Sequence, residues 1–191
     1  RSVANQSYPR KKIEHIVIDG GSKDKTLSVI KKYKNDLAYW HTKKDKGIYD
    51  AMNAGIKKSK GEIIGILNSD DYFNKNALKK VSGYFKKYEI DFLFGSVKKS
   101  RIYHNYFPNK IWFTFNIYPS HSVSFFIRRK AQKKLGYYNT SFKYSADRDL
   151  VYRIIRKKLK GTSTKKNEVL GTFSLSGISS RVSYFEKITE E

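Results

Sequence analysis

Short apolar runs alternate along this chain with longer stretches in which apolar residues recur every three or four positions. Ile13-Glu14-His15-Ile16-Val17-Ile18 predicts a strand, ended by the turn Asp19-Gly20-Gly21-Ser22. Ser22 or Asp24 can then cap a helix that carries Leu27, Ile30 and Tyr33 on one face. Leu37 to His41 predicts a second strand. Tyr49, Met52 and Ile56 keep helical spacing, with Gly61 closing that helix. Ile63-Ile64-Gly65-Ile66-Leu67 has no polar interruption, the pattern of a strand buried on both faces of a parallel sheet. Leu78, Val81, Phe85 and Tyr88 predict another amphipathic helix, and Phe92-Leu93-Phe94 another strand. Leu150, Val151, Ile154 and Ile155 predict a late helix, and Val169 to Leu175 a final strand.

Strands and helices of this length in alternation predict a right-handed α/β sandwich. From Lys98 to Phe126 the pattern changes to aromatic-rich extended segments, including Tyr103, Tyr106, Phe107, Trp112, Phe113 and Phe115, which read as a mixed part of the sheet. No internal repeat and no linker composition interrupts the chain, so one domain over 1–191 is expected. The opening Arg1-Ser2-Val3-Ala4-Asn5-Gln6 has no methionine and reads as the middle of a helix. The chain is therefore expected to be a piece of a longer protein, truncated at both ends.

Composition narrows the function classes. With 191 residues and 15% aromatics the chain can bury a core of its own and is not a disordered tail. It has no cysteine, which excludes a disulfide framework and a thiolate metal site. No apolar run approaches the ~20 residues needed to cross a bilayer. Forty Lys and Arg against 17 Asp and Glu give a formal charge of +23, which invites a nucleic-acid or anionic-membrane partner. The basic runs, such as Lys31 to Lys34, Lys43 to Lys46, Lys57 to Lys60 and Arg156 to Lys160, are spread along the chain and not gathered in one stripe. They read as solvated faces and helix ends. Peripheral contact with an anionic membrane is compatible with them, and no specific nucleic acid is expected.

The chemistry concentrates in the turns. Asn68-Ser69-Asp70-Asp71 leaves the end of the buried apolar strand, and ligands of parallel sheets bind beyond the carboxyl ends of the strands. Carboxylates placed there can hold Mg²⁺ or Mn²⁺ against a diphosphate. The plain alternative is that Asp70 and Asp71 cap a helix starting near Asn74. Two more acidic turns occupy comparable positions, Asp19-Gly20-Gly21-Ser22 and Ala146-Asp147-Arg148-Asp149.

Three segments carry a family likeness. They are Ile16 to Thr26, Asp45-Lys46-Gly47-Ile48-Tyr49-Asp50-Ala51-Met52-Asn53, and Gly61 to Asp71. In this order and spacing the sequence resembles the inverting family-2 glycosyltransferases of the GT-A fold, nearest to the bacterial subgroup that builds surface polysaccharides. The resemblance runs from about Val3 to Ser180. It implies a Rossmann-like α/β/α sandwich with a central, mostly parallel mixed sheet that lacks its first strand in this chain. It also implies metal-dependent, inverting transfer of a sugar from a nucleotide-sugar donor, a UDP-sugar, to a hydroxyl of a glycan or lipid-linked acceptor. The expected place is the cytoplasm, at the inner face of the cytoplasmic membrane.

Carried over residue by residue, the resemblance implies that Asp19 accepts a hydrogen bond from the imide N–H of uracil. Gly20 and Gly21 let the backbone turn sharply beneath the base, beside Ser22. Asp45 and Gly47 line the loop next to the nucleotide. Asp50 and Asn53, three apart, share a helix face toward the donor, or else form an ordinary solvated face. Asn68, Ser69 and Asp70 stand where the family has its Asp-x-Asp motif. With Asn68 neutral, metal binding rests on Asp70, with help from Asp71. His121 is a metal ligand, an acceptor contact or a structural histidine. Asp147 stands at the second acid of the family's catalytic pair, with Ala146 replacing the first, and is the expected general base. The competing reading has Asp147 capping its helix while Asp149 and Arg153 form an i,i+4 pair. Two rival functions stay open: a nucleotide-binding chain without catalysis, and a basic nucleic-acid binder.

Overall fold

A computed structural model describes residues 1–110 and 122–175 of the chain. The elements run β1 (Ile16–Asp19), α1 (Thr26–Lys32), β2 (Tyr39–Thr42), α2 (Ile48–Lys58), β3 (Ile63–Gly65), β4 (Tyr72–Phe73) and α3 (Ala77–Lys87). They continue as β5 (Phe92–Phe94), β6 (Ser96–Lys98), β7 (Ile102–Tyr103), β8 (Phe125–Arg128), α4 (Arg129–Leu135), α5 (Ala146–Arg156), β9 (Gly161–Ser163) and β10 (Val169–Thr172).

The strands form three pieces of sheet. One is the parallel pair β1 and β2, the second has the order β3-β8-β5-β9, and the third β4-β10-β6-β7. The expectation of a mostly parallel sheet needs correction. Three of the pairings among the described residues are parallel, while four are antiparallel. Strand β8 runs against both neighbours, β3 and β5. Only three residues separate β6 from β7, and so short a connection can only reverse the chain.

Alternation along the central strands builds two cores. Ile64, Phe92, Phe94 and Ile127 point to one face, where they meet Tyr49 and Ile56 of α2, Ala131 and Leu135 of α4, and Leu150, Val151 and Ile154 of α5. Leu93 and Phe126 point to the other face and meet Ala77, Val81 and Phe85 of α3. Side chains of successive strand residues alternate between faces, so this sheet is covered by helices on both sides. Phe92 and Leu93 are both fully buried, which explains why their short segment has no polar position.

The helix starts differ from the sequence reading. α3 begins at Ala77, after β4, so Asp70 and Asp71 do not cap it. Its first-turn donor Leu78 N–H is instead satisfied by Gln6 Oε1 at 3.0 Å, while Gln6 Nε2 donates to Asn74 O at 2.9 Å. The opening residues form turns, not a regular helix, and Val3 packs into the α3 core. α2 ends at Lys58, and Gly61 N–H donates to Glu14 Oε2 at 2.9 Å.

His15 leads into β1, and its carbonyl accepts Ala38 N–H at 2.9 Å. Burial, then the nearby Arg10 guanidinium, lower its imidazole to about 4. The folded state thus binds a proton less readily than the unfolded chain, whose histidine titrates near 6.5. The contribution is fully present above pH 6.5 and is lost as pH falls from there toward 4. Substituting His15→Gln is expected to flatten the melting-temperature profile over that interval, measured by calorimetry at successive pH values. An unchanged slope would refute this.

Candidate active site

β1 delivers Asp19 to the edge of its sheet with only 7% of its surface exposed. Ser22 N–H donates to Asp19 Oδ2 at 3.1 Å and the Ser22 hydroxyl to Oδ1 at 2.5 Å. The Ser22 hydroxyl, ahead of the other contacts, holds the carboxyl below its ordinary range although burial opposes this. The Thr42 side chain and the Gly21 backbone also approach this carboxyl and favour its charged form.

The next loop rests directly on this turn. Lys43 N–H donates to Asp19 O at 3.0 Å. A Cβ on Gly20 would lie 2.4 Å from Asp45 Oδ2, and one on Gly21 3.1 Å from Lys44 N. Gly21 also has φ +87, the left-handed region that glycine adopts without strain. Asp45 Oδ1 accepts Gly47 N–H at 3.0 Å, and Asp50 Oδ2 accepts Lys46 N–H at 3.1 Å. Asp19, Gly21, Ser22, Asp45, Gly47 and Asp50 therefore form one connected surface at the N-terminal end of α2. Asp24 Oδ1 accepts Thr26 N–H at 2.9 Å, so it marks the start of α1.

Asn53 departs from the expected donor contact. It is buried, its Nδ2 donates to Tyr138 O and its Oδ1 accepts Tyr138 N–H, both at 2.9 Å. The physical reason is that the face of α2 shared by Tyr49, Asn53 and Ile56 is the one turned into the core. The amide there completes a buried backbone that would otherwise lack partners.

One turn earlier on that face, Tyr49 stacks on Tyr138 with ring centroids 5.5 Å apart. Its hydroxyl donates to Tyr144 O at 2.9 Å and lies 3.4 Å from Asp147 Oδ1. Asp147 sits in the first turn of α5, and burial pushes its carboxyl above the ordinary value, against the lowering pull of Arg148. Among the described residues no side-chain cap hydrogen bond starts α5, whereas the Asp149–Arg153 pair of the rival reading forms, at 2.8 Å. Tyr49 was legible only as an apolar helix position, and Tyr138 carried no signal of its own. The available signal was a hydroxyl on a core helix face, which needs a partner when buried.

In the third turn, Asp71 N–H donates to Asn68 O at 3.2 Å. Asn68 and Asp70 are half-buried and Ser69 is exposed. Asp71 is buried and turned away: Oδ1 accepts Ser174 N–H at 2.9 Å, and Oδ2 has no partner among the described residues. Burial raises its carboxyl to about 6. Oδ1 thus ties down the chain after β10, and the share expected of Asp71 in metal binding would fall to Oδ2. Asp70 remains as the carboxylate of this loop, with the neutral carbonyl of Asn68. Ile66, just before the loop, packs in the same core as Tyr49 and Met52, which sets the loop beside α2. Among the described residues no three acidic or histidine groups gather as a metal cage. Two surface hollows, lined by Tyr106, Ile155 and Lys158 and by Asn5, Phe73 and Lys75, contain none of these acids. His121, Trp112 and Gly177 to Ser180 lie outside the described residues.

Residues 1–157 match the family model Glycosyl transferase family 2. The chain belongs to this family. Among curated relatives, the uncharacterized glycosyltransferase Rv1514c of Mycobacterium tuberculosis is 45% identical over 74 residues, covering 39% of this chain and 28% of the relative. The poly(ribitol-phosphate) beta-N-acetylglucosaminyltransferase TarS of Staphylococcus aureus is 31% identical over 100 residues, covering 51% of this chain and 18% of TarS. The chain thus spans well under a third of the length of either. A crystal structure of S. aureus TarS with UDP-GlcNAc shares the fold at TM-score 0.73 and 19% identity, over 96% of this chain and 56% of that one. The mannosyltransferase PcManGT of Pyrobaculum calidifontis, solved with GDP-Man and Mn²⁺, does so at TM-score 0.72 and 18% identity, over 93% and 52%. This member of glycosyl transferase family 2 therefore has the mixed α/β fold of those enzymes, with its sheet split into pieces.

Proposed function

We propose that this chain is the donor-binding and catalytic part of an inverting glycosyltransferase that takes a UDP-sugar and glycosylates a hydroxyl of a phosphate-rich polyol or glycan of the cell surface. The observation that carries the reading is α2. Its first turn holds the loop that rests on the Asp19 turn, and Tyr49, one residue before Asp50, reaches Asp147. One helix thus touches both Asp147 on α5 and the loop against the Asp19 turn after β1, which supports a reading that couples the two.

In this reading Asp19 accepts the uracil imide N–H, while Gly20 and Gly21 let the backbone turn sharply beneath the base, close against the Asp45 loop. Asp147 takes the proton of the acceptor hydroxyl as its oxygen attacks the anomeric carbon, on the side opposite the departing diphosphate. Burial suits that role, because a carboxyl held above its usual range takes a proton more readily near neutral pH. Asp70, with the Asn68 carbonyl, fits a Mg²⁺ or Mn²⁺ ion shared with substrate phosphates, since Mg²⁺ is commonly bound through one or two carboxylates plus substrate. Such an ion, when bound, offsets charge on the leaving diphosphate.

The net charge of +23 supports a polyanionic acceptor or an anionic membrane at the working site, the inner face of the cytoplasmic membrane. No helix among the described residues is long and apolar enough to cross a membrane. TarS, which acts on a poly(ribitol-phosphate), supports the same acceptor class.

The full-length protein, supplied with UDP-GlcNAc or UDP-glucose and Mn²⁺, is expected to glycosylate a poly(ribitol-phosphate) acceptor in preference to a neutral glycan. That preference should weaken as salt is raised. Binding of UDP by calorimetry without turnover on any acceptor would support the binding-only rival. Neither binding nor turnover would end the proposal.

A further inference from the structure

Asp147 projects from the first turn of α5, and the segment entering that helix is held from α2 by two separate devices. Asn53 makes paired hydrogen bonds to the Tyr138 backbone, and the Tyr49 ring stacks on the Tyr138 ring. The Tyr49 hydroxyl then spans Tyr144 O at 2.9 Å and Asp147 Oδ1 at 3.4 Å. Tyr49 is 8% exposed, so water does not readily replace the phenol at that position. Asp50, its neighbour, holds the Lys46 amide of the donor loop. Adjacent residues of one helix therefore address the donor loop and the carboxylate on α5.

We propose that Tyr49 is the positioning residue of Asp147, fixing the orientation of its carboxylate through the phenolic hydroxyl and tying that orientation to the helix that builds the donor loop. This rests on the reading of Asp147 as the general base.

The phenol has one proton to donate, and it is shared between the Tyr144 carbonyl at 2.9 Å and Asp147 Oδ1 at 3.4 Å. The carboxylate takes the longer branch of that forked bond. An oriented dipole of this kind favours the ionised acid and restricts its rotation, so that one oxygen is offered to the acceptor hydroxyl. Among the groups that face the carboxylate are the Tyr49 phenol from α2, Tyr138 from the preceding segment, and Arg148 on its own helix, whose backbone N–H donates to Asp147 Oδ1 at 3.0 Å. Arg153 stands behind Tyr138, where it donates to Leu135 O and Tyr137 O. Of these, the Tyr49 hydroxyl bonds the carboxylate from a side chain and can be deleted while its stacking ring is kept.

The test compares Tyr49→Phe and Asp147→Asn in the full-length protein, with UDP-sugar turnover followed across pH. Tyr49→Phe is expected to lower kcat by roughly ten- to a hundredfold, the scale of misplacing a catalytic group. KM for the UDP-sugar should stay within about twofold, because α2 and the donor loop keep their contacts. The acid limb of kcat should move to higher pH, since a hydrogen bond that favoured the ionised base is gone. A variant with unchanged kcat and unchanged acid limb, beside an inactive Asp147→Asn, would overturn the proposal and leave the base assignment standing. A fall in kcat with an unmoved limb and a lowered melting temperature would also overturn it, as a merely structural effect. Full activity of Asp147→Asn would remove the base assignment and the proposal together.

Discussion

Replacing Asp147 with asparagine is expected to lower kcat by about 10²- to 10⁴-fold, the range that a general base contributes. Asparagine fills the same volume and still offers an oxygen to the Tyr49 hydroxyl, so the entry to α5 keeps its hydrogen bonds. Stability should not fall, because the substitution removes a carboxylate that burial already disfavours. UDP affinity should stay within about twofold, because Asp19, Ser22 and the loop at Asp45 are untouched. Single-turnover kinetics paired with calorimetry of UDP separates the two quantities. Equal rates for the variant and the parent protein would exclude Asp147 from the reaction.

The second large effect concerns stability. Asn53→Ala removes both partners of a buried backbone unit, the N–H and the C=O of Tyr138. Leaving two such groups unsatisfied costs about 2 to 6 kcal/mol. For a domain of this size each kcal/mol shifts the melting temperature by roughly 2 to 4 °C, so a drop of about 4 to 24 °C is expected. Calorimetry on the full-length variant checks the shift. A donor-contact role predicts the opposite pattern, a raised KM for the UDP-sugar with an unchanged melting temperature. Observing that pattern would refute the role of Asn53 as a buried backbone partner.

These two residues also show what the sequence could and could not disclose. Strand and helix positions followed from apolar periodicity, since Phe92 to Phe94 and the Val81–Phe85 face of α3 are buried as their spacing requires. The Asp19 turn and the Asp45 loop were legible as a pair of motifs, and the structure brings them into contact through Gly20. Strand direction was not legible. β8 pairs with strands distant in sequence, and nothing in Phe125 to Arg128 encodes a reversed orientation. Nor could a one-dimensional pattern distinguish Asp50 from Asn53, three residues apart on one helix. The first turns toward the donor loop and the second into the core, a difference fixed only by which neighbour α2 meets. Asp71 illustrates the same limit. Its partner Ser174 lies 103 positions away, so nothing in the local pattern tells that one oxygen of the acidic pair fastens a distant segment.

The paired bonds between Asn53 and Tyr138 have a consequence for building chimeras of this protein. Grafting the 45–50 loop of a relative means importing α2 as well, since those residues run into it without a break. The imported helix then arrives with whatever its own position 53 offers to a foreign residue 138. Exchanges that move 43–58 together with 137–149 keep that match, whereas a cut between the two blocks severs it where α2 meets the segment entering α5.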